Sequence, residues 1–150
     1  MRAVVQRVLS ASVYVDGEKI SSIGKGVLVL IGFSKHDTEE DLKYIAKKIV
    51  NLRIFEDEKQ KMNISVKDSL AEVLIVSQFT LYGDVRGSNR PSFDLACEYS
   101  RAKELYDIFC KEISALLGRD VKVGRFGAFM HVELVNYGPV TILIDSERNF

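Results

Sequence analysis

Residues 26–33, GVLVLIGF, are apolar almost without interruption. A strand with one face in water alternates between apolar and polar residues, so a short continuous run reads as a strand covered on both faces. The segment VLIVSQFTLYGD, residues 73–84, begins the same way and then turns polar at Ser77, Gln78 and Thr80 around Phe79, before breaking at Gly83. Two explanations stand. The polar end is a frayed strand running into a turn, or a buried strand delivers hydrogen-bonding groups into a pocket.

Around these runs the chain offers many short strands and only two helices. Residues 2–8 and 12–16 read as strands, and Asp16-Gly17 marks a hairpin turn between SVYV and EKISSI, because Gly accepts the positive φ such turns need. A helix is expected from about Asp37 or Thr38, with Glu39, Glu40 and Asp41 in its first turn, where the helix dipole favours anions. Leu42, Ile45, Ala46, Ile49 and Leu52 share one face of it. Short strands around the charged turn EDEKQK fill 53–66, and a long strand spans 71–80 before the loop YGDVRGSNRPSF. A second helix covers roughly 98–117, with Leu105, Ile108, Phe109, Glu112, Ile113 and Leu116 on or beside one stripe, and Gly118 stops it. Strand-like runs at 120–124, 128–135 and 139–145 close the chain. Regular helices do not separate the strands, which argues against a doubly wound parallel sheet. The expected class is α+β: a curved, barrel-like, mostly antiparallel or mixed sheet with two main helices in one domain spanning residues 1–150.

With 47% hydrophobic and 28% charged residues, 150 residues suffice for a real core. Basic and acidic residues balance at 21 each, so no global field draws the chain onto a polyanion. This counts against a general nucleic-acid coat protein but leaves room for a local patch that grips one end of a nucleic acid. No run reaches the roughly 18 apolar residues of a membrane helix. MRAVVQRVLSASVYVDGEK alternates like a strand rather than a signal peptide. With only Cys97 and Cys110, both placed in the second helix, the expectation is a cytoplasmic protein with free thiols and no membrane contact.

Chemistry is concentrated in few places. His36 and His131 are the only histidines and have no ligand-spaced partners, so no metal site is expected. GKG at 24–26 and GRFG at 124–127 match no phosphate-cradling pattern, and no Gly-x-Ser-x-Gly elbow occurs; no cofactor is expected. A Ser-His-Asp triad has no fixed spacing, but neither histidine sits in the segments that read as functional. RGSNRPS places Arg86 and Arg90 in a loop that by itself reads as solvated. Its position after a buried strand makes it a candidate contact for a substrate at that strand's end. NYGPVT, residues 136–141, carries Pro139, one of two prolines, in a step that locally reads as a turn between strands.

The segments MRAVVQRV, SQFTLYGD, NRPSF, LYDIFC, GRFGAFMHVEL and NYGPVT, in this order over essentially the whole chain, resemble the D-aminoacyl-tRNA deacylases, also called D-tyrosyl-tRNA deacylases. The resemblance implies a homodimer with a curved, barrel-like sheet, and an enzyme that hydrolyses the ester of D-aminoacyl-tRNA and of glycyl-tRNA while sparing L-aminoacyl-tRNA. By motif, Ser77, Gln78, Phe79 and Thr80 would line the site for the ester and terminal adenosine. Gly138 and Pro139, joined by a cis bond, would project into the partner subunit's site and present carbonyls to the substrate's α-amino group. Arg7 would orient that loop, and Phe126 and Met130 would wall the pocket. Arg86 and Arg90 would contact the tRNA.

Where family members typically carry an acidic residue between Asn and Gly of the last motif, this chain has Tyr137. The resemblance also leaves the attacking group open. Thr80 is one candidate, but an alcohol nucleophile needs a base within reach, and the motif offers only Asp84. Assistance by the tRNA's own 2′-hydroxyl, with Thr80 positioning the substrate, is the favoured alternative. A non-catalytic RNA-end-binding module and a tRNA-independent esterase are the rival functions.

Overall fold

The structure is a computed structural model describing residues 1–150. In chain order the strands are β1 (Arg2–Val15), β2 (Glu18–Ile23), β3 (Gly26–Gly32), β4 (Phe55–Glu56), β5 (Met62–Ile64), β6 (Glu72–Ser77), β7 (Lys122–Val123) and β8 (His131–Asp145). The helices are α1 (Glu39–Val50) and α2 (Tyr99–Leu117). The main sheet runs β2-β1-β3-β6-β7, with β8 on the other edge of β1. β3, β6 and β7 are mutually parallel and the remaining pairs antiparallel, so the sheet is mixed, as expected. β4 and β5 form a separate small hairpin.

The long strand β1 organises the molecule. On one edge its first half pairs with β3 and its second half with β2; on the other edge it pairs with β8 along nearly its whole length. The two apolar runs lie side by side as the parallel pair β3–β6, from Gly26↔Glu72 to Ile31↔Ser77. At that first pair the backbones are so close that a Cβ on Gly26 would lie 2.1 Å from the Glu72 carbonyl oxygen.

Alternation along these strands sorts side chains onto two faces. Val27, Val29, Ile31, Val73 and Ile75 join the large core beneath α1 and α2. Leu28, Leu74 and Val76 join Val8, Ala11, Val13 and Ile23 in a smaller cluster on the opposite face. The helices cover one face, and the curl of the sheet covers the other. Fully burying an aliphatic side chain contributes about 1.5–3 kcal/mol, so both clusters hold β3 and β6 in register.

The helices form where their local signals lie. Thr38 caps α1 with Asp41 completing the capping box, and Leu42, Ile45, Ala46 and Ile49 are buried. In α2 the Glu98 carboxylate accepts from the backbone N–H groups of Ser100 and Arg101, and Gly118 closes the helix with φ 72°. Its buried stripe is Ala102, Leu105, Tyr106, Phe109, Ile113 and Leu117, so Ile108 and Glu112 lie off the core. Cys97 precedes the helix instead of lying within it. No helix is long and apolar enough to cross a membrane.

Several expected boundaries move. The runs 2–8 and 12–16 merge into one continuous strand, β1, which ends at Val15. β6 ends at Ser77, and Phe79–Tyr82 form a 3₁₀ turn rather than more strand. Residues 131–135 and 139–145 belong to one strand, β8, which passes through the Gly-Pro step without reversing, while 128–130 precede it.

Candidate active site

The parallel strands β3 and β6 end together, and the chain then bends over the end of β3. The Gln78 N–H donates to the Ile31 carbonyl at 2.7 Å. Gly32 makes the bend possible, since a Cβ there would sit 2.7 Å from the Gln78 carbonyl oxygen. The polar end of the hydrophobic run is therefore an ordered turn, not a frayed strand end.

This turn opens onto a cavity of about 650 Å³. Ser77, Gln78 and Phe79 form one side of it, with Ile31 and Phe33 behind. Tyr99 and Ala102 at the start of α2 form a second wall, and the 126–130 segment a third. Phe126 is fixed by edge and tilted contacts to Tyr99 and Tyr106, with centroids at 5.2 and 5.4 Å. Gly127, at φ 76°, lets the loop lie against the Tyr99 ring. Met130 lines the cavity from the other end of that loop, against Gly124. Below it, the buried Tyr106 hydroxyl donates to the Ile75 carbonyl at 2.8 Å. Desolvation holds this phenol well above its usual pKa, and it pushes the Cys110 thiol up to about 12 although a hydrogen bond with Tyr106 opposes the shift. Cys97 also lines the cavity, and desolvation, aided by the charge of Glu98, raises its thiol pKa.

Within the turn, the Gln78 side-chain amide donates to the Thr80 hydroxyl. Thr80 is exposed beside the cavity rather than in its wall. Phe79 and Thr80 open the 3₁₀ turn, so their N–H groups have no acceptor within it. The site thus gathers hydroxyls, an amide and free backbone donors at one end of an apolar cavity, an arrangement suited to holding a carbonyl and the oxyanion formed from it. It contains no histidine. The carboxylate nearest to Thr80 in sequence, Asp84, is paired with Arg86 at 2.6 Å, which holds its pKa well below the usual carboxylate range.

The following loop is also ordered. Asp84 and Ser92 exchange backbone hydrogen bonds at 2.8 and 2.9 Å, and Phe93 packs edge-on against Phe79 at 5.1 Å. Arg86 is engaged with Asp84, whereas the exposed Arg90 side chain makes no ion pair.

Arg7, Gly138 and Pro139 do not line this cavity. They form a second centre on the β1–β8 pair, where Gln6 faces Thr141 and Val8 faces Asn136. Tyr137, Gly138, Pro139 and Val140 therefore stand opposite Arg7 alone and bulge out of the ladder. The Gly138–Pro139 bond is cis. The Asn136 side-chain amide spans the base of the bulge, donating to the carbonyls of Arg7 at 3.0 Å and Val140 at 3.1 Å. Arg7, only 2% exposed, donates from Nε to the Tyr137 carbonyl at 3.1 Å and from its Nη1 to the Ile54 carbonyl at 2.6 Å. Asn136, Glu56 and Tyr99 are not singled out in the sequence, where Cys97 stands only as a free thiol. Only Asn136 carried a signal there, as the first residue of NYGPVT.

A model of the D-Tyr-tRNA(Tyr) deacylase family matches residues 4–145. D-aminoacyl-tRNA deacylases of Clostridium botulinum (strain Alaska E43 / Type E3) and Koribacter versatilis are each 57% identical to this chain, with all of both chains covered. Among solved structures, one titled c-Myc DNA Unwinding Element Binding Protein superposes with a TM-score of 0.91 at 46% identity, covering 97% of this chain and 98% of that one. Another, of a probable eukaryotic D-amino acid tRNA deacylase, shares the fold at a TM-score of 0.82 and 21% identity, covering 95% of this chain and 97% of that one. With its sheet, its strand-end cavity and its Gly-Pro bulge in place, the chain belongs to the D-Tyr-tRNA(Tyr) deacylase family.

Proposed function

We propose that this protein hydrolyses the ester joining a D-amino acid, or glycine, to the terminal adenosine of tRNA, and that it rejects L-aminoacyl-tRNA. Residues 1–150 act as one deacylase domain in the cytoplasm. The observation that carries the reading is the cavity at the end of β6, where donors without a base face an apolar pocket in a chain of this family. Ser77, Gln78 and the 79–80 backbone hold the ester carbonyl, Phe79, Phe126 and Met130 enclose the substrate, and Thr80 positions it. With Asp84 neutralised by Arg86, no residue here is poised to deprotonate Thr80. The 2′-hydroxyl of the terminal ribose, adjacent to the ester, then assists the attack on the carbonyl. Arg90 contacts the tRNA backbone, with Arg86 beside it.

Chiral selection rests on Gly138 and Pro139 entering the site of a second subunit. Two observations favour this dimer. The bulge does not reach the cavity of its own chain, and Leu9, Val135 and Leu143 expose apolar surface on β1 and β8 beside it. A site that holds the α-amino group and the carbonyl fixes two directions at the α-carbon. Backbone placed against a third admits hydrogen and excludes a side chain. D-residues and glycine pass, and L-residues do not.

The test is direct: pure protein is incubated with D-tyrosyl-, L-tyrosyl- and glycyl-tRNA, and the remaining ester is measured. Loss of the D- and glycyl esters with survival of the L-ester is the expected result. Binding of charged tRNA without hydrolysis would leave an RNA-end-binding module. Cleavage of small activated esters in preference to tRNA would leave a plain esterase.

A further inference from the structure

We propose that Tyr137 and Glu56 are positioning residues that fix the Gly138–Pro139 bulge and thereby set the stringency of chiral selection; this rests on the proposed role of that bulge. Four residues opposite one cannot be held by ladder hydrogen bonds, so side chains must supply the constraint. Tyr137, the residue before Gly138, is held at three points. Its carbonyl accepts from Arg7 Nε at 3.1 Å. Its ring lies over the Arg7 guanidinium, with Cζ 4.0 Å from the ring centroid. Its hydroxyl donates to Glu56 Oε2 at 3.1 Å. Glu56 Oε1 in turn lies 3.9 Å from Arg7 Nη1, which closes a circuit of Arg7, Tyr137 and Glu56.

The environment suits this use. A cation over an aromatic face gains most when the pair is desolvated, and Arg7 is almost fully buried. Lys25 Nζ lies 5.8 Å from the centroid of the same ring. Glu56 sits on β4, so the β4–β5 hairpin serves as the mount for the bulge. Two cations and one carboxylate surround Tyr137. An acidic side chain at 137 would find Arg7 and Lys25 as partners, whereas a basic one would be repelled.

The experiment compares Tyr137→Phe, Tyr137→Leu, Glu56→Gln and Glu56→Ala on D- and L-tyrosyl-tRNA, with thermal midpoints measured in parallel. A displacement of ~1 Å in a catalytic constellation costs on the order of 100-fold. Tyr137→Leu, which loses the ring and the hydroxyl, is expected to lower the D-over-L ratio of kcat/KM at least about tenfold. The expected cause is a higher KM for the D-ester together with measurable L-ester hydrolysis. Tyr137→Phe keeps the ring on Arg7 and retains more selectivity. Glu56→Ala and Tyr137→Phe both remove the Tyr137–Glu56 hydrogen bond, and Glu56→Ala also removes the ion pair with Arg7, so their double variant should be no worse than Glu56→Ala alone. A D-over-L ratio within about twofold of native in Tyr137→Leu and Glu56→Ala would overturn the inference, whatever the thermal midpoint does. Should Tyr137→Leu fail to fold, Glu56→Ala decides, since the Glu56 side chain is 40% exposed. If the native chain leaves D-tyrosyl-tRNA intact, it is the proposed function that fails, and this result is separable from the others.

Discussion

The Thr80 hydroxyl is held by Gln78: the side-chain amide of one residue donates to the oxygen of the other across the first step of the turn that ends β6. A lone pair of that oxygen is thereby engaged, and no histidine or free carboxylate stands ready to take its proton. Such a hydroxyl orients a ligand more readily than it attacks one. Thr80→Ser should be nearly normal, and Thr80→Ala should retain measurable hydrolysis of D-tyrosyl-tRNA. Loss of a true nucleophile costs on the order of a millionfold in kcat. A substrate ending in 2′-deoxyadenosine should suffer more than the Thr80→Ala enzyme does. Single-turnover rates with both substrates check this, and normal cleavage of the deoxy ester would remove substrate assistance from the mechanism.

Gly138 separates function from folding. An added Cβ would meet only the Asn136 side-chain oxygen, at an ordinary 3.5 Å. Gly138→Ala should therefore fold with a stability change of about 1 kcal/mol or less, as surface substitutions do, while D-ester hydrolysis falls sharply because a methyl group stands beside the carbonyls proposed to contact substrate. Mixed dimers make the test sharper. Pairing a Gly138→Ala subunit with one carrying Gln78→Ala and Thr80→Ala should restore one working site. Absence of restored activity in the purified heterodimer would show that each subunit works alone.

Gly32 tests the bend over the end of β3. A methyl group there would press on the Gln78 carbonyl from 2.7 Å and on Leu81 from 3.2 Å. Gly32→Ala should shift the 77–80 turn and reduce kcat/KM on D-tyrosyl-tRNA by about tenfold or more. Helical content, read by circular dichroism, should stay near native.

The thiols should be quiet. Desolvation raises the pKa of both Cys97 and Cys110, the latter to about 12, so neither supplies much thiolate near pH 8. Iodoacetamide should label the folded protein far more slowly than the urea-unfolded chain, as followed by mass spectrometry. Forced alkylation of Cys97, which lines the cavity, should block hydrolysis.

At the start of α2, the Arg101 and then the Ser100 N–H groups hydrogen-bond the ionised Glu98 carboxylate and lower its pKa below 4.5. A carboxyl with a depressed folded-state pKa adds stability that is fully present above its unfolded value and lost as pH falls through the folded one. Thermal midpoints measured from about pH 6 to pH 3 should fall more steeply for the native chain than for Glu98→Gln, whose cap does not titrate.

Features set by neighbours in sequence could be read directly. The Asp16-Gly17 turn, with φ 51° and 81°, the Thr38 cap and the Gly118 stop all depend on adjacent residues. The end of β6 could be read as a candidate site, because an abrupt change from aliphatic to polar is a local signal. What escaped was set by distant partners. Gly-Pro between two apolar runs reads as a chain reversal; only β1, some 130 residues away and offering a single residue against four, makes it a bulge. Glu56 appeared as one charge in a charged turn, since its partners Arg7 and Tyr137 are remote in sequence. Ile108 fitted the helical stripe by spacing, yet α2 is rotated so that Tyr106 and Phe109 take the core.

The pairing of β1 with β8 also fixes when the enzyme can become active. Contacts between segments separated by most of the chain form late, because a large loop must be closed before they stabilise anything. As a chain leaves the ribosome, β1, β2, β3 and the helices can assemble first, and most of the cavity lining, at 77–79 and 126–130, can be in place before β8 brings Val132 to it. The Gly-Pro bulge, inside β8, takes shape only when that strand adds to β1. A nascent chain would thus acquire a pocket before it acquires the element proposed to tell one hand of amino acid from the other, and chiral selection would be the last property to emerge.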